Sequence, residues 1–302
     1  MELHQLRYLV AVARAGSFSR AAANCHVSQP SLSQQIAKLE RRVEQRLFDR
    51  LGRRVVLTDA GRLLADRAAQ ILASVDDVER QLRAGDALAS GRLTIGAIPT
   101  VAPYLLPPVL GRFARQFPGV ELTVQEDVTQ NLLAAVLAGD VDLALLALPI
   151  DDERLQVEAM LTEPLLLALP PGHRLARKPK IMLADLQDER FILLNEMHCL
   201  GDQVLSFCKA HSCLPKIACR SAQITTVQCL IALGQGVSLL PAMAQATDPA
   251  QRKHYRLLAD AAPTRTIAAV WHRHRYHSPA AEHFLAALRE WAAQSESRTK
   301  KR

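Results

Sequence analysis

Hydrophobic residues recur at helical spacing three times within the first 44 residues. The first run predicts a helix over residues 2–14, with apolar positions at Leu3, Leu6, Leu9 and Val12. Ser17 can cap a second, shorter helix over residues 20–24. In the third run, from Pro30 to about Glu44, the apolar residues step by four, three and four and form one buried stripe: Leu32, Ile36, Leu39 and Val43. Two short helices, a turn and a third helix predict a helix-turn-helix.

The face of the third helix opposite this stripe carries short polar and basic side chains. Serine and glutamine near a helix N-terminus can reach base edges in the major groove, and lysine can meet phosphates. We therefore predict that this face binds DNA, with an ordinary solvent-exposed helix face as the alternative. The candidate DNA-binding residues on it are Gln29, Pro30, Ser31, Ser33, Gln34 and Lys38.

The next segments predict a small hairpin followed by a long helix. Short strands at 47–48 and 55–57 flank a glycine-containing turn, which carries Arg50 and Arg53 as further candidate DNA contacts. Thr58 can cap a helix of about 30 residues, or about 45 Å, on which apolar residues repeat as in a coiled-coil seam at Leu64, Ala68, Ile71, Val75, Val78 and Leu82. This length and pattern favour packing on a second copy of the chain, so residues 59–88 predict a homodimer interface.

From residue 92 onward, short apolar runs typical of strands alternate with helical patterns such as 103–117 and 129–138. Such alternation favours an α/β architecture with mainly parallel sheets, which bind small ligands beyond their strand ends. The predicted strands are 92–97, 120–126, 141–148, 164–169, 190–194, 215–220, 236–240 and 265–271.

Composition and charge narrow the class of protein. At 302 residues, 49% hydrophobic and 22% charged, the chain falls at globular averages, which excludes a disordered, collagenous or coiled-coil protein. No apolar run approaches the roughly 18 residues of a membrane span, and the N-terminus has no small-residue cleavage site, so we expect a soluble, cytoplasmic protein without a membrane partner. Residues 1–62 carry eleven basic and five acidic side chains, whereas the other 240 residues have a net charge of +1. This imbalance predicts a phosphate-facing N-terminal module, with a merely solvated basic surface as the alternative.

The six cysteines are unevenly placed, since five of them fall between Cys199 and Cys229. A structural disulfide framework does not fit a chain of this size without a signal peptide. Metal binding, thiol chemistry and burial compete as explanations of the cluster. Because the paired C-x-x-C spacing of a structural zinc site does not occur in the sequence, we expect no metal and no cofactor.

Short motifs in the first 62 residues form a signature: Leu6-Arg7-Tyr8-Leu9, Gly16-Ser17-Phe18, Ala21-Ala22, Val27-Ser28-Gln29-Pro30-Ser31-Leu32-Ser33, Leu39-Glu40 and Leu57-Thr58-Asp59-Ala60-Gly61. This signature resembles the LysR-type transcriptional regulators, and the resemblance runs over essentially the whole chain. It implies an α/β fold class with a winged helix-turn-helix at 1–58, a linker and dimerisation helix at 59–88, and a regulatory domain at 89–302. That domain would contain two α/β subdomains, like a type 2 periplasmic binding protein. Double-stranded promoter DNA, RNA polymerase and a homotetramer are implied as well.

Three further segments, 24–30, 98–107 and above all 198–208, carry a narrower resemblance to the OxyR-type hydrogen peroxide sensors within that family. In those sensors the first cysteine of the last segment reacts with hydrogen peroxide, and the second resolves it to a disulfide. The resemblance implies Cys199 as the peroxidatic thiol and Cys208 as its resolving partner. It further implies a non-enzymatic activator of antioxidant genes that is reduced by glutaredoxin or thioredoxin. The peroxide-site and supporting residues that it implies are Thr100, Thr129, His198, Asp202 and Arg265.

The spacing of the two cysteines bears on how such a switch would work. Cys199 lies near a predicted strand-to-helix junction, where a helix N-terminus, Arg265 and a hydrogen bond from His198 or Thr100 would each favour the reactive thiolate. If 199–208 were one helix, the sulfurs would lie about 13.5 Å apart along its axis, whereas a disulfide needs Cα atoms within about 7 Å. The disulfide therefore requires local unwinding, which Gly201 makes easier.

Three alternatives remain open from the sequence. A thiol peroxidase would use Cys199 for turnover, and a regulator that responds to a small-molecule metabolite would leave the cysteines as bystanders. A metal site would draw on Cys199, Cys208, His211, Cys213 and Cys219. We expect Cys25 to lie in a core, and Cys213, Cys219 and Cys229 to be buried or incidental thiols.

Overall fold

The computed structural model describes residues 1–302 except 52–53, 84–90, 196–198, 212, 214, 249–253 and 301–302. The chain divides into two compact units. The first contains Met1–Ala87 with the short segments Leu137–Asp140 and His274–Ser278, and the second contains the rest. Two of the predicted site residues, Arg53 and His198, lie outside the described residues. Within the described part of the chain, no helix is both long enough and apolar enough to cross a lipid bilayer.

Three helices begin the N-terminal unit: α1 (Leu3–Ala15), α2 (Phe18–Asn24) and α3 (Gln29–Val43). The hydroxyls of Ser17 and Ser28 cap α2 and α3 by accepting hydrogen bonds from backbone N–H groups in the first turn. Three residues of the predicted stripe on α3 are buried, Leu32, Ile36 and Leu39, and they form one core with α1 and α2. The predicted helix-turn-helix is confirmed.

A hairpin and a long helix complete this unit. Strand β1 (Phe48–Leu51) pairs antiparallel with β2 (Arg54–Leu57), which confirms the predicted wing. Helix α4 (Asp59–Arg83) follows, and the Thr58 hydroxyl caps it by accepting a hydrogen bond from the Gly61 N–H at 2.9 Å. Ala68 of the predicted seam is buried in the core of this unit, whereas Ile71 and Val78 are 40% and 53% exposed. Among the described residues, Ile71 and Val78 of the seam are therefore largely exposed in the single chain.

The second unit contains nine strands and six helices among the described residues. The strands are β3 (Gly91–Ala97), β4 (Val120–Glu126), β5 (Leu143–Ala147), β6 (Leu155–Ala168), β7 (Arg190–Leu194), β8 (Lys216–Ser221), β9 (Ser238–Pro241), β10 (Tyr255–Arg256) and β11 (Thr264–His272). The helices are α5 (Ala102–Gln116), α6 (Thr129–Ala138), α7 (Cys199–Ala210), α8 (Ile224–Ala232), α9 (Ala242–Ala246) and α10 (Pro279–Lys300).

A seven-stranded sheet of order β10-β6-β11-β5-β3-β4, with β9 also paired to β6, runs through this unit. Strand β3 is parallel to β4 and β5, but β11 is antiparallel to β5 and β6, and β6 is antiparallel to β9 and β10. The expectation of mainly parallel sheets is therefore wrong for this sheet. The physical reason is β6, whose 14 residues pair first with β11 and then with β9. Only its second half was predicted, as 164–169.

The second subdomain has its own core. Strand β7 is parallel to β8 and reaches β9 through the bridge between Phe191 and Val237. The buried residues of β7 pack with apolar residues of α7, α8 and β9, among them Leu200, Val204, Val227 and Leu240. Two α/β subdomains, linked by strands that run between them, confirm the predicted architecture.

Candidate functional site

Cys199 is the first residue of α7, five residues after the end of β7, so it lies at the predicted strand-to-helix junction. Gly201 holds this junction together. A Cβ at Gly201 would lie 2.6 Å from the carbonyl oxygen of Leu194 and 3.1 Å from that of Asn195. The glycine thus permits a close approach of α7 to the end of β7, a packing role that the sequence did not indicate.

Arg265 is the centre of a buried polar network beside this junction. It lies on β11 directly opposite Glu163 of β6, and its Nε donates a hydrogen bond to Glu163 Oε1 at 2.9 Å. Its two terminal nitrogens donate to Thr100 Oγ1 and to the Thr100 carbonyl oxygen, each at 3.0 Å. The second oxygen of Glu163 accepts from the backbone N–H of Met243 at 2.8 Å. The buried guanidinium of Arg265 is therefore ion-paired with Glu163 and hydrogen-bonded to Thr100, which offsets the cost of burying its charge.

The Cys199 sulfur lies beside two of the predicted residues. The Thr129 side chain, at the start of α6, can donate a hydrogen bond to the thiolate form of Cys199, and the positive charge of Arg265 acts on the sulfur. Both lower the pKa of Cys199, but burial raises it by more, so the pKa lies above its usual range. Arg265 thus favours the thiolate, but desolvation of this half-buried residue has the larger effect.

The other supporting residues have different positions from those the sequence suggested. Thr100 contacts Arg265 rather than the sulfur, so it positions the guanidinium. Asp202 is exposed in the first turn of α7. Thr129 Oγ1 is buried and has no hydrogen-bond partner in the described part of the chain. Its donor and acceptor capacity is therefore available to the Cys199 thiolate or to a bound ligand.

Three residues of the site were missed by sequence reasoning. Glu163 interrupts an apolar strand sequence, which was the available signal for a buried partner. Burial raises the pKa of Tyr104 to about 12, although the positive charge of the nearby Arg265 guanidinium lowers it. Gln203 of α7 donates to the Leu148 carbonyl oxygen at 2.9 Å, and its own side-chain oxygen is buried without a partner in the described residues. Gln203 thereby ties α7 to the end of β5.

Cys208 lies near the other end of α7, so residues 199–208 do form one helix. All six cysteines are free. Nine residues of helix separate the two sulfurs by about 13.5 Å along the axis, too far for a disulfide without unwinding. Cys208 is fully buried, and burial together with the neighbouring Cys213 raises the pKa of its thiol to about 11.

The remaining cysteines differ in exposure. Cys213 is buried and Cys25 is half-buried against the helix-turn-helix core, whereas Cys219 and Cys229 are exposed. In the part of the chain that the structure describes, no group of three or more His, Cys, Asp or Glu residues is placed to hold a metal ion.

The predicted DNA-binding face of α3 is accessible. Gln29, Pro30, Ser31, Gln34 and Lys38 are exposed and Ser33 is half-buried. Arg50 lies on β1, in the wing, and its side chain is outside the described residues. The exposed residues thus lie on the side of α3 opposite the buried stripe.

The Thr129 contact predicts a pH-dependent rate. In a Thr129→Val chain the thiolate of Cys199 loses one hydrogen bond, and we expect oxidation of Cys199 by peroxide at pH 7 to slow about tenfold. Because the pKa of Cys199 is raised, the rate in both chains should climb with pH through the neutral range, and the variant's profile should lie at higher pH. Quenched alkylation at several pH values measures this. Thr162→Val, which removes a hydroxyl 2.9 Å from that of Thr266, is the matched control, and equal profiles for all three chains would contradict the assignment.

Comparison with known proteins gives matches over nearly the whole chain. A model of bacterial regulatory helix-turn-helix proteins of the lysR family matches residues 3–62, and a model of the LysR substrate binding domain matches residues 86–293. The DNA-binding transcriptional dual regulator OxyR of Escherichia coli strain K12 is 38% identical over 275 residues, which cover 90% of this chain and 89% of that protein.

Solved structures agree with these matches. Full-length OxyR from Pseudomonas aeruginosa, with one cysteine replaced by aspartate, superposes with a TM-score of 0.78 at 30% identity, covering 96% of this chain and 98% of that one. A Corynebacterium glutamicum OxyR mutant with hydrogen peroxide bound, in which a cysteine is replaced by serine, gives a TM-score of 0.63 at 29% identity, covering 97% and 93%.

Proposed function

The chain belongs to the LysR family of DNA-binding transcriptional regulators, and we propose that it senses hydrogen peroxide by oxidation of Cys199 followed by a disulfide with Cys208. The observation that carries this proposal is the setting of Cys199, a half-buried thiol whose thiolate form is favoured by both the Thr129 hydroxyl and the Arg265 guanidinium. The similarity to a peroxide-bound OxyR structure supports the same reading. The genes that it controls are then those of an antioxidant response.

In the first step, the Cys199 thiolate attacks one oxygen of hydrogen peroxide, the O–O bond breaks, and sulfenic acid and hydroxide result. The departing oxygen carries negative charge, which hydrogen-bond donors in a dry site stabilise. Thr129 Oγ1 is buried without a hydrogen-bond partner in the described residues, so it can donate to the peroxide. Arg265 contributes positive charge without leaving its contacts to Thr100 and Glu163.

In the second step, the Cys208 thiolate attacks the sulfenic sulfur, the S–O bond breaks, and hydroxide leaves as the disulfide forms. The hydroxide takes up the proton that the Cys208 thiol lost and becomes water. This requires α7 to unwind, because the helix separates the two residues by nine positions. Unwinding breaks the Gly201 contact with β7 and the Gln203 hydrogen bond to Leu148. Oxidation thus changes how the second subdomain is held against the first, which is a change of the kind that reorients domains in switches.

At the DNA end, α3 and the β1–β2 wing would contact promoter DNA, and the chain would act as an activator with RNA polymerase as partner. The exposed apolar residues of α4, Ile71 and Val78, support a homodimer through residues 59–88, with a homotetramer as the full assembly. Reduction of the disulfide by glutaredoxin or thioredoxin would return the protein to its resting state.

The DNA-binding face yields a salt-dependence prediction. Lys38 is exposed on α3, so Lys38→Ala should weaken binding to duplex DNA and reduce the slope of log affinity against log salt by about 1 per chain. Lys180→Ala, an equally exposed lysine of the second unit, is the control and should leave the slope unchanged. Fluorescence anisotropy of labelled DNA at several salt concentrations measures both. Identical slopes for the two variants would contradict the assignment of α3.

Thiol-trapping mass spectrometry tests the sensing reaction. The reduced protein is alkylated before and after one equivalent of hydrogen peroxide, and every cysteine is mapped. We expect a rapid disulfide between Cys199 and Cys208. If both thiols stayed free, peroxide sensing would be excluded, and a regulator of a small-molecule effector would take its place.

A further inference from the structure

Cys208 has a second thiol neighbour that does not require α7 to unwind. The backbone N–H of Cys213 donates to the Cys208 carbonyl oxygen at 2.9 Å, a hydrogen bond that folds the chain back at the C-terminal end of α7. Both side chains are buried, at 0% and 4% exposure, and the two thiols interact with each other. A six-residue turn of this kind brings its end residues within the distance of about 7 Å between Cα atoms that a disulfide needs.

Cys208 can therefore enter two different disulfides with opposite structural consequences. The bond with Cys199 requires the loss of helical turns in α7, because the helix holds the two residues nine positions apart. The bond with Cys213 bridges the end of the helix and leaves its turns in place. A disulfide that distorts its surroundings is the more readily reduced of two, so exchange from the first bond to the second is favoured.

We propose that Cys213 attacks the Cys208 sulfur of the Cys199–Cys208 disulfide, so that a Cys208–Cys213 disulfide forms and Cys199 is released. This inference rests on the proposed function, which supplies the first disulfide. The Cys213 thiolate forms the new S–S bond, the bond to Cys199 breaks, and Cys199 leaves as a thiolate that takes up the proton lost by Cys213. The step is an exchange, so it needs no further oxidant or reductant.

The order of events follows from burial. In the resting fold both thiols are shielded from peroxide, and burial raises the pKa of each, so neither is a ready nucleophile. Unwinding of α7 exposes this end of the helix, and a separation of only five residues keeps Cys213 close to Cys208. Exchange thus follows formation of the Cys199–Cys208 disulfide.

This exchange gives the sensor an internal reset. After the exchange, the protein is still oxidised by two electrons, but the disulfide is now between Cys208 and Cys213. Helix α7 can then refold, so the protein leaves its peroxide-induced conformation without an external reductant. A second peroxide would then oxidise Cys199 to a sulfenic acid that has no free Cys208 to resolve it. Until a reductant cleaves the Cys208–Cys213 bond, the protein cannot form the Cys199–Cys208 disulfide again.

A time course with one equivalent of hydrogen peroxide tests the exchange. In the wild-type chain we expect the Cys199–Cys208 disulfide to rise and then fall, while Cys208–Cys213 and free Cys199 appear together. In Cys213→Ser and Cys213→Ala chains the Cys199–Cys208 disulfide should last about tenfold longer, because the exchange partner is missing. Cys219→Ser, which removes an exposed thiol, is the matched control and should behave as wild type.

Different results separate this inference from the sensing function. If Cys199–Cys208 forms and lasts equally long with and without Cys213, the exchange is disproved and peroxide sensing stands. If Cys199 is never oxidised, the sensing function itself is disproved, and the exchange that depends on it is disproved as well. If the Cys199–Cys208 disulfide of the wild-type chain decays without any Cys208–Cys213 disulfide appearing, the pairing of Cys208 with Cys213 is overturned.

Discussion

An Arg265→Met chain is expected to lose about 3–5 kcal/mol of unfolding free energy in the second unit. The substitution keeps much of the volume of the side chain but leaves the Glu163 carboxylate buried at 5% exposure without its guanidinium. It also removes the two hydrogen bonds that hold Thr100. Urea unfolding followed by tryptophan fluorescence measures the loss, since both tryptophans, Trp271 and Trp291, lie in this unit.

The control for this prediction is a second arginine that pairs with a glutamate of the same strand. Arg289 contacts Glu158 of β6, but their side chains are 54% and 32% exposed, so Arg289→Met should cost less than about 1 kcal/mol. A Glu163→Gln substitution added to Arg265→Met should recover part of the loss, because it removes the unpaired buried charge. Equal losses of unfolding free energy for Arg265→Met and Arg289→Met would show that burial of an ion pair does not determine its contribution to stability.

The second large effect is expected for Cys199→Ser, which should abolish peroxide-driven disulfide formation. Serine does not react with hydrogen peroxide, so oxidation would have to begin at another thiol. Burial raises the pKa of the Cys208 thiol to about 11, so very little of it is ionised at pH 7. Because Cys208 is also fully buried, we expect its loss as a free thiol to slow by at least about 100-fold.

Alkylation after one equivalent of peroxide measures this loss of thiol. Cys219→Ser serves as the control, since Cys219 is exposed and should not take part in the reaction. Rapid oxidation of Cys208 in the Cys199→Ser chain would mean that Cys208 reacts with peroxide directly. That result would contradict the order of steps proposed for the switch.

Local patterns predicted the N-terminal unit well. The spacing of Leu32, Ile36 and Leu39 defined the buried side of α3, and Thr58 marked the start of α4. These features depend on residues a few positions apart, which is the range over which periodicity and capping act. The predicted strand bounds of the second unit are also close to those observed, apart from β6 and from the two-residue strand β10, which was not predicted.

The sequence indicated residue types for the site, but not their ion pairing, their burial or the direction of their pKa shifts. Motifs pointed to Cys199, Thr129 and Arg265, yet the pairing of Arg265 with Glu163 depends on the register of two strands 102 residues apart. No local pattern encodes that register. Burial of Cys199 likewise arises from tertiary packing, so the direction of its pKa shift could not be read from the residues beside it. The contact of Cys208 with Cys213 depends on how α7 ends, which the sequence did not reveal.

The long strand β6 runs from one α/β subdomain into the other. It pairs with β11 up to Pro164 and with β9 from Leu165 onward, so Glu163 and Arg265 lie where the strand changes neighbours. The positive charge of the same guanidinium lowers the pKa of Cys199. A rotation of one subdomain against the other that moved Arg265 would therefore change the acidity of the sulfur. By linkage, ionisation of the sulfur would then favour the orientation that keeps Arg265 near it.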